Sequence, residues 1–247
     1  MTLLECRNVG MKFGGAAALT AVSISAEAGV ITGLIGPNGA GKTTMFNCIT
    51  GLLEPTSGEV MLDGVDITKL PPFRRARLGV ARTFQRLELF TSLSVRDNIR
   101  VAGEIRSRWS KGKGKGKGDT HAEAEHIIEL MGLSGLADRD VAEIPTGMAR
   151  RVEMGRALMT RPRILLLDEP ASGQDEQETE EFGELLLHVR DEGTAILLVE
   201  HDVSLVMKVC SFIQVLDFGR LIASGAPAEI QTNPAVLEAY LGEDHSA

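Results

Sequence analysis

The residues from Gly36 to Thr44 have the spacing of a phosphate-binding loop. They follow an apolar run over residues 30–35, precede a helix-like stretch, and read Gly36, Pro37, Asn38, Gly39, Ala40, Gly41, Lys42, Thr43, Thr44. The glycines let the backbone aim its N–H groups at phosphate oxygens, and the start of the helix adds a partial positive charge. This pattern predicts Lys42 on the β- and γ-phosphates and the Thr43 hydroxyl on a magnesium ion. The alternative is an ordinary glycine-rich turn, but the flanking strand and helix favour the phosphate site.

Two acidic residues end a second apolar run far downstream. Asp168 and Glu169 follow Ile164–Leu167, which reads as a buried strand. Such a strand places carboxylates at the carboxyl edge of a sheet, where nucleotide phosphates and magnesium lie. We expect Asp168 to hold the metal through water and Glu169 to polarise the attacking water. Acidic pairs also occur in helix caps, but the phosphate loop in the same chain favours the chemical role.

Short apolar runs and helical stretches alternate around these residues. The runs read as strands buried on both faces of a parallel sheet: Ile31–Ile35, Ile164–Asp168, Ala195–Val199 and Phe212–Leu216. The helical stretches have the length of crossover connections: Thr43–Gly51, Glu176–Glu192 and Ser204–Val209. The pattern predicts an α/β fold. A turn at residues 218–220 predicts a hairpin, and Pro227 predicts a helix start.

The middle of the chain has amphipathic helical patterns and no convincing strand. These patterns cover Val95–Arg106, Ala122–Met131 and Arg150–Met159. We interpret residues 87–159 as a helical subdomain inserted into a nucleotide-binding core of residues 1–86 and 160–247. Alternating lysine and glycine at residues 111–118 predict a mobile exposed loop. This loop is either a solubilising insertion or a tether to anionic lipid or nucleic acid.

Composition places the chain among globular proteins that contain no membrane span. Of its 247 residues, 43% are hydrophobic, yet no apolar stretch approaches the ~20 residues that cross a bilayer, and the first ten residues do not resemble a signal peptide. We therefore expect a cytosolic protein or one peripheral on the cytosolic face. Net charge is -8, although residues 71–118 hold thirteen Lys/Arg against three Asp/Glu, which indicates a polyanion or lipid contact or a solvated face. Three widely spaced cysteines predict buried, reduced thiols.

Seven motifs, in this order, resemble those of the ATP-binding subunit of an ABC transporter and together span essentially the whole chain. They are Phe13, residues 36–44, Thr83-Phe84-Gln85, residues 144–151, Leu167-Asp168-Glu169, Ser172-Gly173-Gln174-Asp175 and Glu200-His201-Asp202. The resemblance implies an ABC-type P-loop NTPase fold with a RecA-like sheet core, an N-terminal antiparallel β part and an inserted helical subdomain. It also implies ATP and Mg²⁺ as cofactors, and ATP hydrolysis coupled to transmembrane transport.

The same resemblance implies a role for each matched residue. Phe13 resembles the aromatic residue that stacks on adenine, and Gln85 the glutamine that touches magnesium and the attacking water and reports to the membrane partner. His201 resembles the histidine that contacts the γ-phosphate, and Asp175 the acid that communicates across a dimer interface. The implied catalytic residues are Glu169, His201, Gln85 and Lys42. The implied metal contacts are Thr43, Gln85 and Asp168. The implied nucleotide contacts are Phe13, Gly36, Pro37, Asn38, Gly39, Ala40, Gly41, Lys42, Thr43, Thr44, Gln85, Pro145, Gly147, Met148 and Asp175.

The signature motif departs from the family's usual Leu-Ser-Gly-Gly-Gln. Pro145 replaces the serine, Thr146 a glycine and Met148 the glutamine, while Gly147 keeps the pattern. Proline has neither a hydroxyl nor an N–H, so two donors are absent, although the N–H groups of Gly147 and Met148 at the helix start can still face an anion. Proline or alanine at this position resembles the ATPases of branched-chain amino acid importers. Further matches to that group are residues 13–15, 81–85, 151–158, 199–202 and 238–242.

The sequence thus predicts an ATPase that dimerises head to tail around two ATP molecules and drives a membrane permease from the cytoplasmic face. The expected partners are permease subunits, a second ATPase chain, identical or paralogous, and indirectly a substrate-binding protein, with no nucleic acid. Three alternatives stay open. They are a cassette for another substrate such as urea or lipid, a soluble ABC ATPase of DNA repair or translation, and a regulatory cassette that binds ATP without hydrolysing it.

Overall fold

The computed structural model describes residues 2–109 and 120–241. The Lys-Gly segment, residues 111–118, lies outside the described residues. Along the described chain the elements are β1 (Thr2–Phe13), β2 (Ala16–Glu27), β3 (Ile31–Ile35), α1 (Lys42–Thr50), β4 (Ser57–Leu62), β5 (Val65–Asp66), α2 (Pro72–Arg77), β6 (Val80–Arg82), α3 (Val95–Trp109), α4 (Thr120–Leu130), α5 (Thr146–Leu158), β7 (Ile164–Asp168), α6 (Glu176–Asp191), β8 (Ala195–Val199), α7 (Val203–Val209), β9 (Phe212–Asp217), β10 (Arg220–Gly225), α8 (Pro227–Gln231) and α9 (Pro234–Leu241).

A six-stranded sheet forms the centre of the fold, with strand order β10-β9-β3-β8-β7-β6. Strands β9, β3, β8, β7 and β6 run parallel, and β10 pairs antiparallel with β9 through the predicted hairpin. Every residue of β3, β7 and β8 is buried, as expected for strands covered on both faces. The predicted α/β fold and its four predicted strands are therefore confirmed. The predicted helix start at Pro227 is also confirmed.

A second sheet supplies the N-terminal antiparallel part, with strand order β2-β1-β4-β5. Neighbouring residues on a strand face opposite sides of a sheet, so each central strand serves two cores. Leu166 and Leu197 pack in the core that includes the second sheet and α1. Leu165 and Leu198 pack in the other core, which includes α3, α4, α5 and α6. The central sheet thus lies between the antiparallel sheet on one face and helices on the other.

The middle of the described chain is helical, as the sequence predicts. Helix α5 begins at Thr146, four residues before the predicted start, because Pro145 at its N-cap is extended and fixes the boundary. The strand β6, which the sequence analysis did not predict, pairs in parallel with β7 at the sheet edge. Its three residues are too few for a hydrophobic pattern to be read. The boundaries of a separate helical subdomain stay a prediction. Among the described helices, none is both long and apolar enough to cross a bilayer.

Candidate active site

The phosphate-binding loop connects β3 to α1 and has the backbone conformation that its glycines permit. Gly36, Gly39 and Gly41 have φ angles of 147°, 78° and 104°, a region that L side chains rarely adopt. A Cβ at Gly36 would lie 2.0 Å from the carbonyl oxygen of Leu216. Only glycine therefore fits where the loop crosses the end of β9.

Lys42 is buried and lies over the loop. Its Nζ donates hydrogen bonds to the carbonyl oxygens of Gly36 at 2.5 Å and Pro37 at 2.9 Å, and the side chain is almost fully enclosed. Thr43 and Thr44 follow on the first turn of α1, and Thr43 is exposed. The helix N-terminus and the lysine together give this loop the positive potential that a phosphate requires.

Three predicted catalytic residues meet at the carboxyl edge of the sheet. The Nε2 of Gln85 donates to Oε2 of Glu169 at 2.9 Å. The Nε2 of His201 hydrogen-bonds to the other carboxylate oxygen of Glu169 at 2.7 Å. Glu169 follows β7 and His201 follows the neighbouring strand β8, so their meeting results from strand adjacency. Glu169 has a φ of 51°, and its backbone N–H donates to the Val199 carbonyl at 2.8 Å.

Asp168, the last residue of β7, forms a buried ion pair that sequence reasoning missed. Its Oδ2 accepts a hydrogen bond from Nη2 of Arg82 at 2.7 Å, and the two side chains are only 5% and 6% exposed. Nη1 of Arg82 donates to Oδ1 of Asn47 on α1 at 2.6 Å. Arg82 thus joins the phosphate-loop helix to the acidic strand. No local pattern in the sequence indicates this pair, because its members lie far apart in the chain.

Glu200 is a second functional candidate, which the sequence analysis quoted within a motif without giving it a role. Its buried carboxylate accepts from the backbone N–H groups of Ala171 at 2.7 Å and His201 at 3.0 Å. Burial raises the pKa of Glu200, and the N–H donors partly offset the shift. The Glu200 carboxylate therefore links Ala171, in the segment after Glu169, to the backbone of His201.

Helix α5 holds the segment around Gln85 through its own side chains. Arg150 donates to the carbonyl oxygens of Phe84 at 2.9 Å and Gln85 at 2.5 Å, and Arg156 donates to the carbonyl of Glu88. Burial raises the pKa of Glu153, which accepts from the N–H of Phe84 at 3.5 Å. The signature helix and the glutamine segment are thus linked by hydrogen bonds.

The remaining predicted residues lie apart from this cluster. Phe13 is half exposed at the end of β1. Asp175 caps α6 by accepting from the N–H of Glu178 at 2.8 Å, so it has a structural role whatever else it does. Pro145, Gly147 and Met148 form the start of α5. In the part of the chain that the structure describes, none of these side chains hydrogen-bonds to Glu169.

The donor set suits magnesium bound together with phosphate. Thr43, Asp168 and Gln85 offer only oxygen ligands, which a hard cation prefers. Among the described residues, no group of three or more His, Cys, Asp or Glu side chains could hold a metal ion alone. Any magnesium would therefore depend on phosphate oxygens and water for most of its ligands, as is usual for this ion.

The cysteines are free and buried, and burial raises the pKa of Cys48 to about 11 and of Cys210 to about 12, which leaves them unreactive.

Comparison with known proteins identifies the family. The ABC transporter family matches residues 19–172, and the branched-chain amino acid ATP-binding cassette transporter family matches residues 220–246. The high-affinity branched-chain amino acid transport ATP-binding protein BraF of Pseudomonas aeruginosa is 40% identical, with 98% of each chain covered. The lipopolysaccharide export system ATP-binding protein LptB of Escherichia coli is 35% identical, with 99% of each covered.

Solved structures agree with these matches. The ADP conformation of MJ1267, an ATP-binding cassette of an ABC transporter, superposes with a TM-score of 0.85 at 32% identity, over 98% of this chain and 99% of that one. The dimeric post-hydrolysis structure of the cassette MJ0796 superposes with a TM-score of 0.78 at 25% identity, over 91% and 99%. Sequence and structure together show that this chain belongs to the ATP-binding cassette family of ABC transporters.

Proposed function

We propose that this chain is the ATP-hydrolysing subunit of an ABC importer for branched-chain or other amino acids. The observation that carries the hydrolytic part is the hydrogen-bonded cluster of Gln85, Glu169 and His201 at the same sheet edge as Asp168. The substrate class rests on the 40% identity to BraF over nearly the full length and on the C-terminal family match. The 35% identity to LptB makes export of a lipid the alternative function.

The chemistry that these residues support is phosphoryl transfer to water. Lys42 is in position to exchange the two loop carbonyls for the β- and γ-phosphates, and Glu169 to exchange its present partners for the attacking water. Gln85 and His201, already hydrogen-bonded to Glu169, would then contact water and the γ-phosphate. Bound Mg²⁺, held through Thr43, Asp168 and Gln85, would neutralise phosphate charge. Catalysis of this type is positioning and charge stabilisation.

A second ATPase chain would complete each site. The signature residues 145–148 lie at the start of α5, and in a head-to-tail dimer they would face the nucleotide of the partner. The cassette MJ0796, which is similar to this chain, was solved as a dimer bound to ADP and Pi. The partner would be an identical or a paralogous chain.

We assign the permease contact to an apolar groove between α2 and α5. The groove has a volume of about 310 Å³, and its lining includes Leu52, Pro72, Ala76, Val80, Phe84 and Ala102. Leu52 is 52% exposed and Phe84 40% exposed, which is unusual for large apolar side chains next to a site. Because Phe84 precedes Gln85, an apolar segment of a permease docked here would act directly on the catalytic glutamine. Such docking would hold the chain at the cytoplasmic face of the membrane.

Uptake measurements in the host test this proposal. Deleting the gene is expected to abolish high-affinity uptake of labelled leucine and leave urea uptake unchanged. Wild-type protein should restore leucine uptake, whereas Glu169→Gln, expressed at the same level, should not. Normal leucine uptake in the deletion strain, together with defective lipopolysaccharide export, would replace the amino acid proposal with the lipid one.

A further inference from the structure

Arg82 is a buried cation at the point where three parts of the candidate site meet. It ends β6, three residues before Gln85, and its guanidinium bridges Asn47 on α1 and Asp168 on β7 at 2.6 and 2.7 Å. Its Cζ lies 5.3 Å from the ring centroid of Phe46 and 5.0 Å from that of Phe84. The planar group is therefore held by two hydrogen bonds and by two aromatic rings.

This environment fixes the geometry of the Asp168 carboxylate. A guanidinium presents donors in a rigid fork, so the Asn47 contact determines where Nη2 points, and Nη2 in turn holds Oδ2 of Asp168. Both members of the pair are almost fully enclosed, so the contact is little screened by solvent. Nε of Arg82 is buried and has no hydrogen-bond partner among the residues that the structure describes. The two Nη contacts therefore direct the fork, and the rings of Phe46 and Phe84 lie against the guanidinium.

We infer that Arg82 is a positioning residue for magnesium binding, which acts by orienting the Asp168 carboxylate. The inference rests on the proposed function, because it requires Asp168 to hold, through water, the metal of bound Mg-nucleotide. Carboxylates at a metal site depend on the partners that orient them, and loss of such a partner typically weakens metal affinity by about 10–100-fold. Because Arg82 also stacks on Phe84, it ties the orientation of Asp168 to the segment that carries Gln85.

The test compares nucleotide affinity with and without magnesium. A fluorescent analogue of AMP-PNP, which cannot be hydrolysed, is titrated into each variant in excess Mg²⁺ and in EDTA. For wild type we expect Mg²⁺ to tighten binding, and we call the Kd in EDTA divided by the Kd in Mg²⁺ the magnesium gain. For Arg82→Gln we expect this gain to fall by about tenfold or more while the affinity in EDTA is unchanged. Arg82→Lys should recover part of the gain, because it restores the charge without the fork.

Two further variants separate positioning from packing. Arg75→Gln is the matched control, because the Arg75 guanidinium is also enclosed but donates to backbone carbonyls of residues 48, 49, 68 and 70. It should lower Tm without changing the magnesium gain. Asn47→Ala removes one anchor of the guanidinium and leaves the Asp168 pair. It should reduce the gain less than Arg82→Gln, and it serves as the test if Arg82→Gln does not fold.

Each outcome bears on a different claim. If Arg82→Gln and Asn47→Ala keep the full magnesium gain while their Tm falls like that of Arg75→Gln, Arg82 is only a structural residue and the inference is wrong. An equal loss of affinity in Mg²⁺ and in EDTA would also overturn it. If wild type itself gains nothing from Mg²⁺, the magnesium assignment in the proposed function fails, whatever Arg82 does.

Discussion

At the scale of single residues, the charged side chains at the centre of the candidate site are already paired. Glu169 hydrogen-bonds to both Gln85 and His201, and Lys42 donates to two carbonyls of its own loop. These side chains thus have hydrogen-bond partners within the chain, which is the requirement for a buried group such as Lys42. Nucleotide entry therefore has to exchange protein partners for phosphate and water rather than recruit free groups.

Substitutions of Glu169 and of Lys42 should have different effects on ATP binding and on turnover. Lys42→Ala removes the charge that faces phosphate and is expected to weaken ATP binding. Glu169→Gln keeps the shape and an amide able to pair with its neighbours, but it cannot polarise water. It should therefore retain ATP binding and lower turnover by about 10²–10⁴-fold, the usual contribution of a positioned base. Equilibrium binding and steady-state phosphate release separate the two effects.

The exposed carboxylate Glu59 gives the control for this experiment, because Glu59→Gln changes the same charge away from the site. It should leave both binding and turnover unchanged. Turnover by Glu169→Gln at the wild-type rate would show that another group polarises the water.

At the scale of elements, Glu123 clamps the helices of the middle region. Its carboxylate accepts from Arg106 on α3 at 2.7 and 2.5 Å and from Arg161, just after α5, at 2.7 and 3.1 Å. Burial alone would raise the pKa of Glu123, but the hydrogen bonds and charges of the two arginines outweigh it and lower the pKa from 4.5 to about 2. Arg106 also donates to the carbonyl of Met159 at 2.5 Å. One carboxylate thus connects α3, α4 and the end of α5.

This shift predicts a stability contribution that depends on pH. Because the folded pKa lies below the unfolded one, the contribution is complete above about pH 4.5 and is lost as pH falls towards 2. After allowance for solvent screening, we estimate it at about 2 kcal/mol near neutral pH. Glu123→Gln should therefore reduce the free energy of unfolding by about that amount at pH 7 and by about half of it at pH 3, measured by urea titration. A deficit of the same size at both pH values would contradict the ion-pair explanation, and Glu59→Gln again provides the comparison.

At the scale of the whole molecule, the proposed dimer would use two different parts of each chain. The phosphate loop and Glu169 belong to the sheet part, whereas residues 145–148 begin α5 in the helical middle region. A head-to-tail pair would join the first part of one chain to the second part of another. Pro145 would then lie where a serine hydroxyl usually donates to the partner's nucleotide, and proline has no hydroxyl.

Turnover of the isolated chain should consequently depend on protein concentration. We expect ATP hydrolysis per chain to be slow in dilute solution and to rise as copies associate. Pro145→Ser should increase turnover at high concentration by restoring the donor, while Pro145→Ala, which restores only the N–H, should increase it less. Phosphate release measured over a dilution series, with and without the permease, gives the result. Turnover per chain that is independent of concentration would rule out a site shared between chains.

Much of this architecture could be predicted because the responsible signals are local. The strand Ile31–Ile35 is a continuous apolar run, and the loop after it requires glycine at Gly36, where any Cβ would collide with β9. The run that ends at Asp168 likewise identifies a buried strand and places the acid at its carboxyl end. In both cases backbone sterics and hydrophobic periodicity act over a few residues, so the printed sequence contains the information.

Other features exist only because distant segments meet in the folded chain. Strand β6 has three residues and is a strand because β7 pairs with it. Arg82 reads as an ordinary charged residue until Asp168 and Asn47 close around it, and Glu200 becomes a buried anchor only when Ala171 approaches. Sequence pattern determined the sheet, its loop and the residue types for phosphate chemistry. Tertiary structure alone decided which of those charges are paired and buried, because ion pairing and desolvation depend on spatial neighbours rather than on sequence neighbours.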